Sequence, residues 1–184
     1  MNVMEILGDP QQKMSLKELL VSSFKYFIQG MHLFDESSFV LAPEPKVWSA
    51  FEITDHILKS NLFIHNIVVG DFQSGERAMD RYVPVLKQMM EDEVVKGKAA
   101  AALQPDVHPA SLVEMLNGLN ENAGLLMTDV EKVNLADLCI NFKLPGMAYS
   151  SRFELISFAA FHMDRHARQL RRVHDSLDKG FIKQ

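Results

Sequence analysis

The chain has 184 residues, 47% of them hydrophobic and 23% charged, the balance of a soluble globular protein that buries a sizeable interior. One compact domain over residues 1–184 is expected at this length. A formal net charge of -5 offers no general attraction to phosphate backbones, so nucleic acid is not an expected partner.

Cys139 is the single cysteine, so no internal disulfide can form. The opening MNVMEILGDPQQKMS lacks a basic start followed by a long apolar core, and a cytoplasmic location is expected. No apolar run approaches the roughly 18–20 residues that cross a bilayer as a helix, and no membrane association is expected. Residues 1–13 read as a loose tail.

In chain order, the first strong signal is a serine followed three residues later by glutamate, ahead of an apolar-periodic stretch. It recurs as Ser15 with Glu18, Ser49 with Glu52, Ser111 with Glu114 and Ser151 with Glu154. In such a capping box the serine hydroxyl accepts the backbone N–H three residues on, and the glutamate reaches back to the serine N–H. Met14 with Leu19, and Trp48 with Ile53, stand where a hydrophobic staple would pack. These starts predict long helices over about 15–35, 49–69, 111–133 and 151–178. The reading is an all-α antiparallel four-helix bundle.

The prolines of LAPEPK separate the first two helices, and GDFQSG closes the second. Between the second and third, Arg77 to Val95 predicts an additional helix, with Pro84 near its start. GKAAAALQPDVHP then reads as a connection, and this long crossover suits a wall or lid over a site.

Of the seven histidines, three separate from the rest by their helical positions. His162 and His166 are four residues apart and share one face of the last helix with Leu155, Phe158, Ala159, Gln169, Leu170 and Val173. His56 lies on the stripe of Ile53, Ile57, Phe63 and Ile67. Three inward imidazoles need polar partners, and one divalent metal ion would satisfy all of them. His32, His65, His108 and His174 read as surface, loop or helix-end residues. The pattern HMDRH differs from the HExxH helix of zinc proteases, because Met163 replaces the water-activating glutamate and Asp164 points away. A protease reading is rejected, and Asp164 with Arg168 reads as an exposed i, i+4 pair.

The segments VWSAFEITDHILKSN and FAAFHMDRHARQL resemble the two signature regions of the DinB-like superfamily, in particular its YfiT-type branch of metal-dependent hydrolases and thiol-dependent transferases. The resemblance extends from the first long helix to the last. It implies a four-helix bundle with one histidine of the second helix joining an H-x-x-x-H pair of the last, carried here by His56, His162 and His166. It further implies a divalent ion, zinc or nickel first and iron or manganese next, and a small-molecule substrate. Bacillithiol, mycothiol or glutathione would serve as a thiol co-substrate in the transferase case.

Three nitrogen ligands leave coordination positions open, as catalytic sites do. Gln169, three residues beyond His166, reads as an orienting group or a structural hydrogen-bonder, and no general acid or base is assigned. The arginines 165, 168, 171 and 172 read as a solvated stripe that complements the helix dipole, or as a receptor for an anionic thiol. Cys139 reads as a small buried residue, and the methionines as core filler. The alternative to an enzyme is a non-catalytic bundle that binds metal or a partner helix, with a homodimer as one form.

Overall fold

The computed structural model of the chain describes residues 10–94, 99–107, 109–144 and 146–181. Six helices and one small ribbon follow in order: α1 (Pro10–Met31), α2 (Glu36–Phe39), α3 (Ala50–Val68), β1 (Phe72–Gln73), α4 (Val83–Glu91), a 3-10 turn (Ala101–Leu103), α5 (Leu112–Lys132), β2 (Leu138–Cys139) and α6 (Arg152–Phe181). The long helices α1 and α3 each pack on both α5 and α6, and α4 lies against α6. Buried residues from all of these join one apolar cluster, which includes Phe27 of α1, Ile57 of α3, Leu86 of α4, Leu126 of α5 and Leu170 of α6. Gly30 brings α1 close to α6, since a Cβ there would stand 3.2 Å from Leu170 Cδ1. No helix among the described residues is long and apolar enough to cross a membrane.

Three of the capping boxes form as read. Ser49 accepts from Glu52 N while Glu52 takes Ser49 N at 2.7 Å, and Ser111 with Glu114 repeats the exchange. Ser151 Oγ accepts Glu154 N at 3.0 Å and Glu154 takes Ser151 N at 2.8 Å. Each such cap contributes about 1 kcal/mol to its helix.

Ser15 and Glu18 instead lie inside α1, which begins at Pro10. Gln11 to Met14 are all good helix formers, so the helix is already formed ahead of Ser15. Residues 10–13 are therefore helical rather than a loose tail, while residues 1–9 lie outside the described residues. Met14 is exposed, so it forms no staple.

The first helix also ends earlier than read, at Met31, because a separate short helix starts behind it. There Asp35 accepts Ser38 N at 2.8 Å and Ser38 Oγ accepts Asp35 N at 3.0 Å, a capping box with serine in place of glutamate. These bonds hold the Asp35 carboxyl down to about 2, the backbone N–H of Ser38 contributing most.

The predicted helix over Arg77 to Val95 is shorter, Val83–Glu91, and Val95 lies outside the described residues. Pro84 fixes the start, since its ring would clash with the carbonyl four residues back in any helix begun more than a turn earlier. Arg77 is drawn away to Glu154, whose two carboxylate oxygens take Nη1 at 2.8 Å and Nη2 at 2.6 Å. Phe63 departs from the inward stripe of α3: it is exposed, with its ring edge-on to Phe142 at 5.3 Å.

An element absent from the sequence reading is the antiparallel ribbon of β1 and β2, which pairs Phe72 with Cys139 and Gln73 with Leu138. The Arg152 guanidinium stacks over Phe72 at 4.2 Å and pairs with Asp137 at 2.9 Å, tying the ribbon to the start of α6.

Candidate metal centre

His56 sits between Ile53 and Ile57, both fully buried, so the packing of α3 against α6 carries its ring inward. On α6 the four-residue spacing stacks His162 and His166 one turn apart on the face that meets it. One ligand-capable atom from each of the three histidines falls within 4.8 Å of the others. The Nε2 atoms of His56 and His162 are 3.3 Å apart, and those of His162 and His166 3.0 Å. The sequence reading thus brought together three residues that the fold also brings together.

The outer ring nitrogens fix two of the tautomers. His56 Nδ1 lies 2.8 Å from Leu103 O, and a carbonyl only accepts, so Nδ1 carries the proton and Nε2 presents a lone pair to the cluster. His166 Nδ1 donates in the same way to Gln169 Oε1 at 2.7 Å. Gln169 accordingly holds His166 through a hydrogen bond within their own helix. His162 Nδ1 is buried without a hydrogen-bond partner.

The His162 ring has two arrangements. With its proton on Nε2 it donates toward His56 and His166, and its Nδ1 lone pair is left buried and unsatisfied. With its proton on Nδ1, that N–H is equally left buried without an acceptor and three lone pairs converge, which is unfavourable unless a cation stands among them. The donor set fits such a cation, because Zn–N bonds of about 2.0–2.1 Å in a tetrahedral site place neighbouring nitrogens about 3.3 Å apart.

The surroundings keep the rings neutral. Burial pushes His56 below the ordinary imidazole value, and burial followed by the neighbouring His56 pushes His166 down to about 3. His162 is pushed well below the ordinary value, again chiefly by burial and then by the other two rings. Neutral imidazole is the form that binds metal. Phe158 stacks on His162 at 5.6 Å with an interplanar angle of 10°, and the Trp48 ring stands 5.2 Å from His56. His56 and His166 are 5% and 8% exposed, while His162 is half-buried and remains in part accessible.

Met163, at the position of the protease glutamate, is fully buried in the core and contacted at its sulfur by Asn61 Nδ2 at 3.5 Å. Asp164 and Arg168 do not form the exposed pair that was read. Asp164 is half-buried, its carboxyl raised chiefly by that burial, and Arg168 turns to Glu93 at 3.0 Å and Met90 O at 2.8 Å. Arg172 reaches the same Glu93 at 2.8 Å, and Arg165 donates to Asp92 O. Arg171 stacks over Tyr26 at 4.9 Å. The basic stripe therefore fastens the end of α4 to α6 and α1 to α6. Arg172 stays exposed, as a solvated stripe requires, while Arg165, Arg168 and Arg171 are half-buried.

Among the other histidines, His32 is exposed and His174 packs edge-on to Phe34 at 5.6 Å. His65, in the last turn of α3, pairs with the buried Asp129 at 2.8 Å. His108 lies outside the described residues.

Cys139 is fully buried, and that burial pushes its thiol up to about 11. Since the thiolate is the reactive form, the native protein at pH 8 is expected to resist alkylation by iodoacetamide, with full modification in denaturant. Mass spectrometry of the two samples checks this, and rapid native labelling would show that the thiol is open.

What sequence reasoning missed is the acceptor for His56. Leu103 offers only a main-chain carbonyl, 47 residues away along the chain, and its side-chain identity carries no signal for that role. Comparison with protein-family models, curated proteins and solved structures finds no match to this chain.

Proposed function

We propose that the chain is a metal-dependent enzyme of the DinB-like kind, a four-helix bundle that holds one divalent ion on His56, His162 and His166 and acts on small molecules. The observation that carries the proposal is the convergence of three Nε2-bearing ring edges, two of them with their tautomer fixed from outside by Leu103 O and Gln169. An outer hydrogen bond of this kind is what metal-ligating histidines ordinarily have. Imidazole donors suit zinc, nickel, iron and copper, so the donor set alone does not select among them.

An ion on three neutral nitrogens supplies Lewis acidity, which favours the deprotonated form of water or of a thiol. The chain's own residues supply the rest. His56, His162 and His166 would hold the ion, Gln169 would fix the ring of His166, and Phe158 and Trp48 would shield the imidazoles from bulk solvent. Trp48 also lines a surface concavity of about 530 Å³ together with Pro43, Pro45 and Lys46. The reaction is either thiol-dependent S-transfer, with a bacillithiol, mycothiol or glutathione type of co-substrate, or hydrolysis.

The test is elemental analysis of untagged protein, before and after loading with zinc or nickel, followed by assays that pair low-molecular-weight thiols with electrophiles and a panel of esters and amides. About one ion per chain and turnover that depends on it are expected. Failure to retain any ion after loading overturns the proposal. One bound ion without turnover in either assay favours the non-catalytic metal-binding bundle.

A further inference from the structure

Two successive turns of α3 grip one short stretch of the crossover. Leu103 O accepts from His56 Nδ1 at 2.8 Å, and Gln104 O accepts from Lys59 Nζ at 2.9 Å. Asp106 is held twice: its N–H donates to Asp55 Oδ2 at 2.7 Å, and its carboxylate takes Lys59 Nζ at 2.7 Å. Lys59 and Asp55 close the set with their own ion pair at 2.9 Å. The carbonyls of Leu103 and Gln104 are free to accept because the 3-10 turn ends at Leu103, leaving no further turn to bond them.

The two oriented imidazoles differ in what orients them. His166 is fixed by Gln169 of its own helix, so its geometry follows from α6 alone. His56 is fixed by a main-chain carbonyl on the crossover, and the segment bearing that carbonyl is placed by Asp55 and Lys59. We infer that residues 103–106 form a strap coupled to the metal centre through His56 Nδ1, with Asp55 and Lys59 as the positioning residues that hold it there. The inference rests on the metal reading of the three histidines.

The coupling has a chemical basis. An ion at Nε2 draws electron density from the ring and makes Nδ1–H a stronger donor, so the bond to Leu103 O tightens when the ion is bound. By linkage, whatever holds the strap in place raises the affinity for the ion by the same factor. Asp55 and Lys59 would therefore influence an ion that neither of them touches.

The experiment uses the full chain with zinc as the probe. Hydrogen exchange of the segment around residues 103–107 is followed by mass spectrometry in zinc-loaded and chelator-treated protein, and zinc affinity is measured for the unmodified chain and for Lys59→Met, Lys59→Arg and Asp106→Ala. Zinc is expected to slow exchange of the strap in the unmodified chain. Lys59→Met should abolish that response and weaken zinc binding by about ten-fold, the lower end of the effect of removing a group that orients a metal-bound histidine. Lys59→Arg should restore most of it. Asp106→Ala alters an exposed side chain without disturbing α3, and should show a smaller loss in the same direction. A chain that binds no zinc overturns the metal reading, and the strap with it. Zinc bound with affinity unchanged in Lys59→Met and Asp106→Ala, or with strap exchange indifferent to zinc, overturns the strap alone.

Discussion

Replacing His162 with alanine is expected to abolish stabilisation of the chain by zinc or nickel, and this should be the largest functional effect of any single substitution in the cluster. Its Nε2 is the common neighbour of the other two, at 3.3 Å from His56 and 3.0 Å from His166. Without it the remaining pair offers two nitrogens, fewer than the three protein ligands usual for a catalytic ion. An ion that binds only the folded state at 100 times its dissociation constant adds about 2.7 kcal/mol of stability. For a chain of this size, that corresponds to an increase of about 5–10 °C in melting temperature.

The measurement is a pair of thermal melts with metal and with chelator, for the unmodified chain and for His162→Ala. The unmodified chain should show the shift and the variant none, while helix content by circular dichroism stays the same in both. Affinity should fall by more than the roughly 10–100-fold that removal of an orienting group causes. A metal-dependent shift that survives in His162→Ala would place the ion elsewhere. The chelated variant should be somewhat less stable than the chelated parent, because it loses the Nε2 contacts to His56 and His166 and the stacking on Phe158.

Local rules made part of this molecule legible from its residues. Ser49, Ser111 and Ser151 each mark a helix start to within one residue, because a capping box is a local arrangement in which both partners appear in the sequence. Ser15 and Glu18 show the limit of the same pattern: the spacing is compatible with a helix interior, and the chain is already helical over residues 10–14 ahead of them. Asp35 with Ser38 was missed for the converse reason, since a serine at the third position can close the box as glutamate does.

The three histidines were readable because periodicity alone sets which face of a helix they occupy. Their outer partners were readable only where they lie on the same helix, as Gln169 does. Leu103 O, Asp106 and Glu93 join the site and its supports from distant loops, where no periodicity announces a contact. The ribbon escaped notice because two residues per strand are too few to display an alternating pattern.

Replacing Glu154 with alanine should have the largest effect on folding. The side chain is fully buried and its two oxygens serve four donors: both terminal nitrogens of Arg77, the N–H of Tyr82 and the N–H of Ser151. It thereby caps α6 and fixes the approach to α4 in one group, while Arg77 also bonds Tyr149 O at 3.0 Å. The carboxylate in turn holds the Arg77 guanidinium above its ordinary value, chiefly through their hydrogen bonds. Removing one partner of a buried pair leaves the other charge uncompensated, at a cost of about 3–5 kcal/mol. Ser151→Ala, which loses the hydroxyl side of the cap and its contact with Met79 O, should cost less, about 1 kcal/mol from the cap itself. Urea titration followed by circular dichroism measures both. Glu154→Gln tests the reason: it keeps one acceptor oxygen but removes the charge and offers Arg77 an N–H in place of the second oxygen, so it should fall between the parent and the alanine variant. A loss below about 1 kcal/mol in Glu154→Ala would mean that the four donors find water instead, and that the apolar contacts and the bonds from Arg165, Arg168 and Arg172 suffice to anchor the crossover to α6.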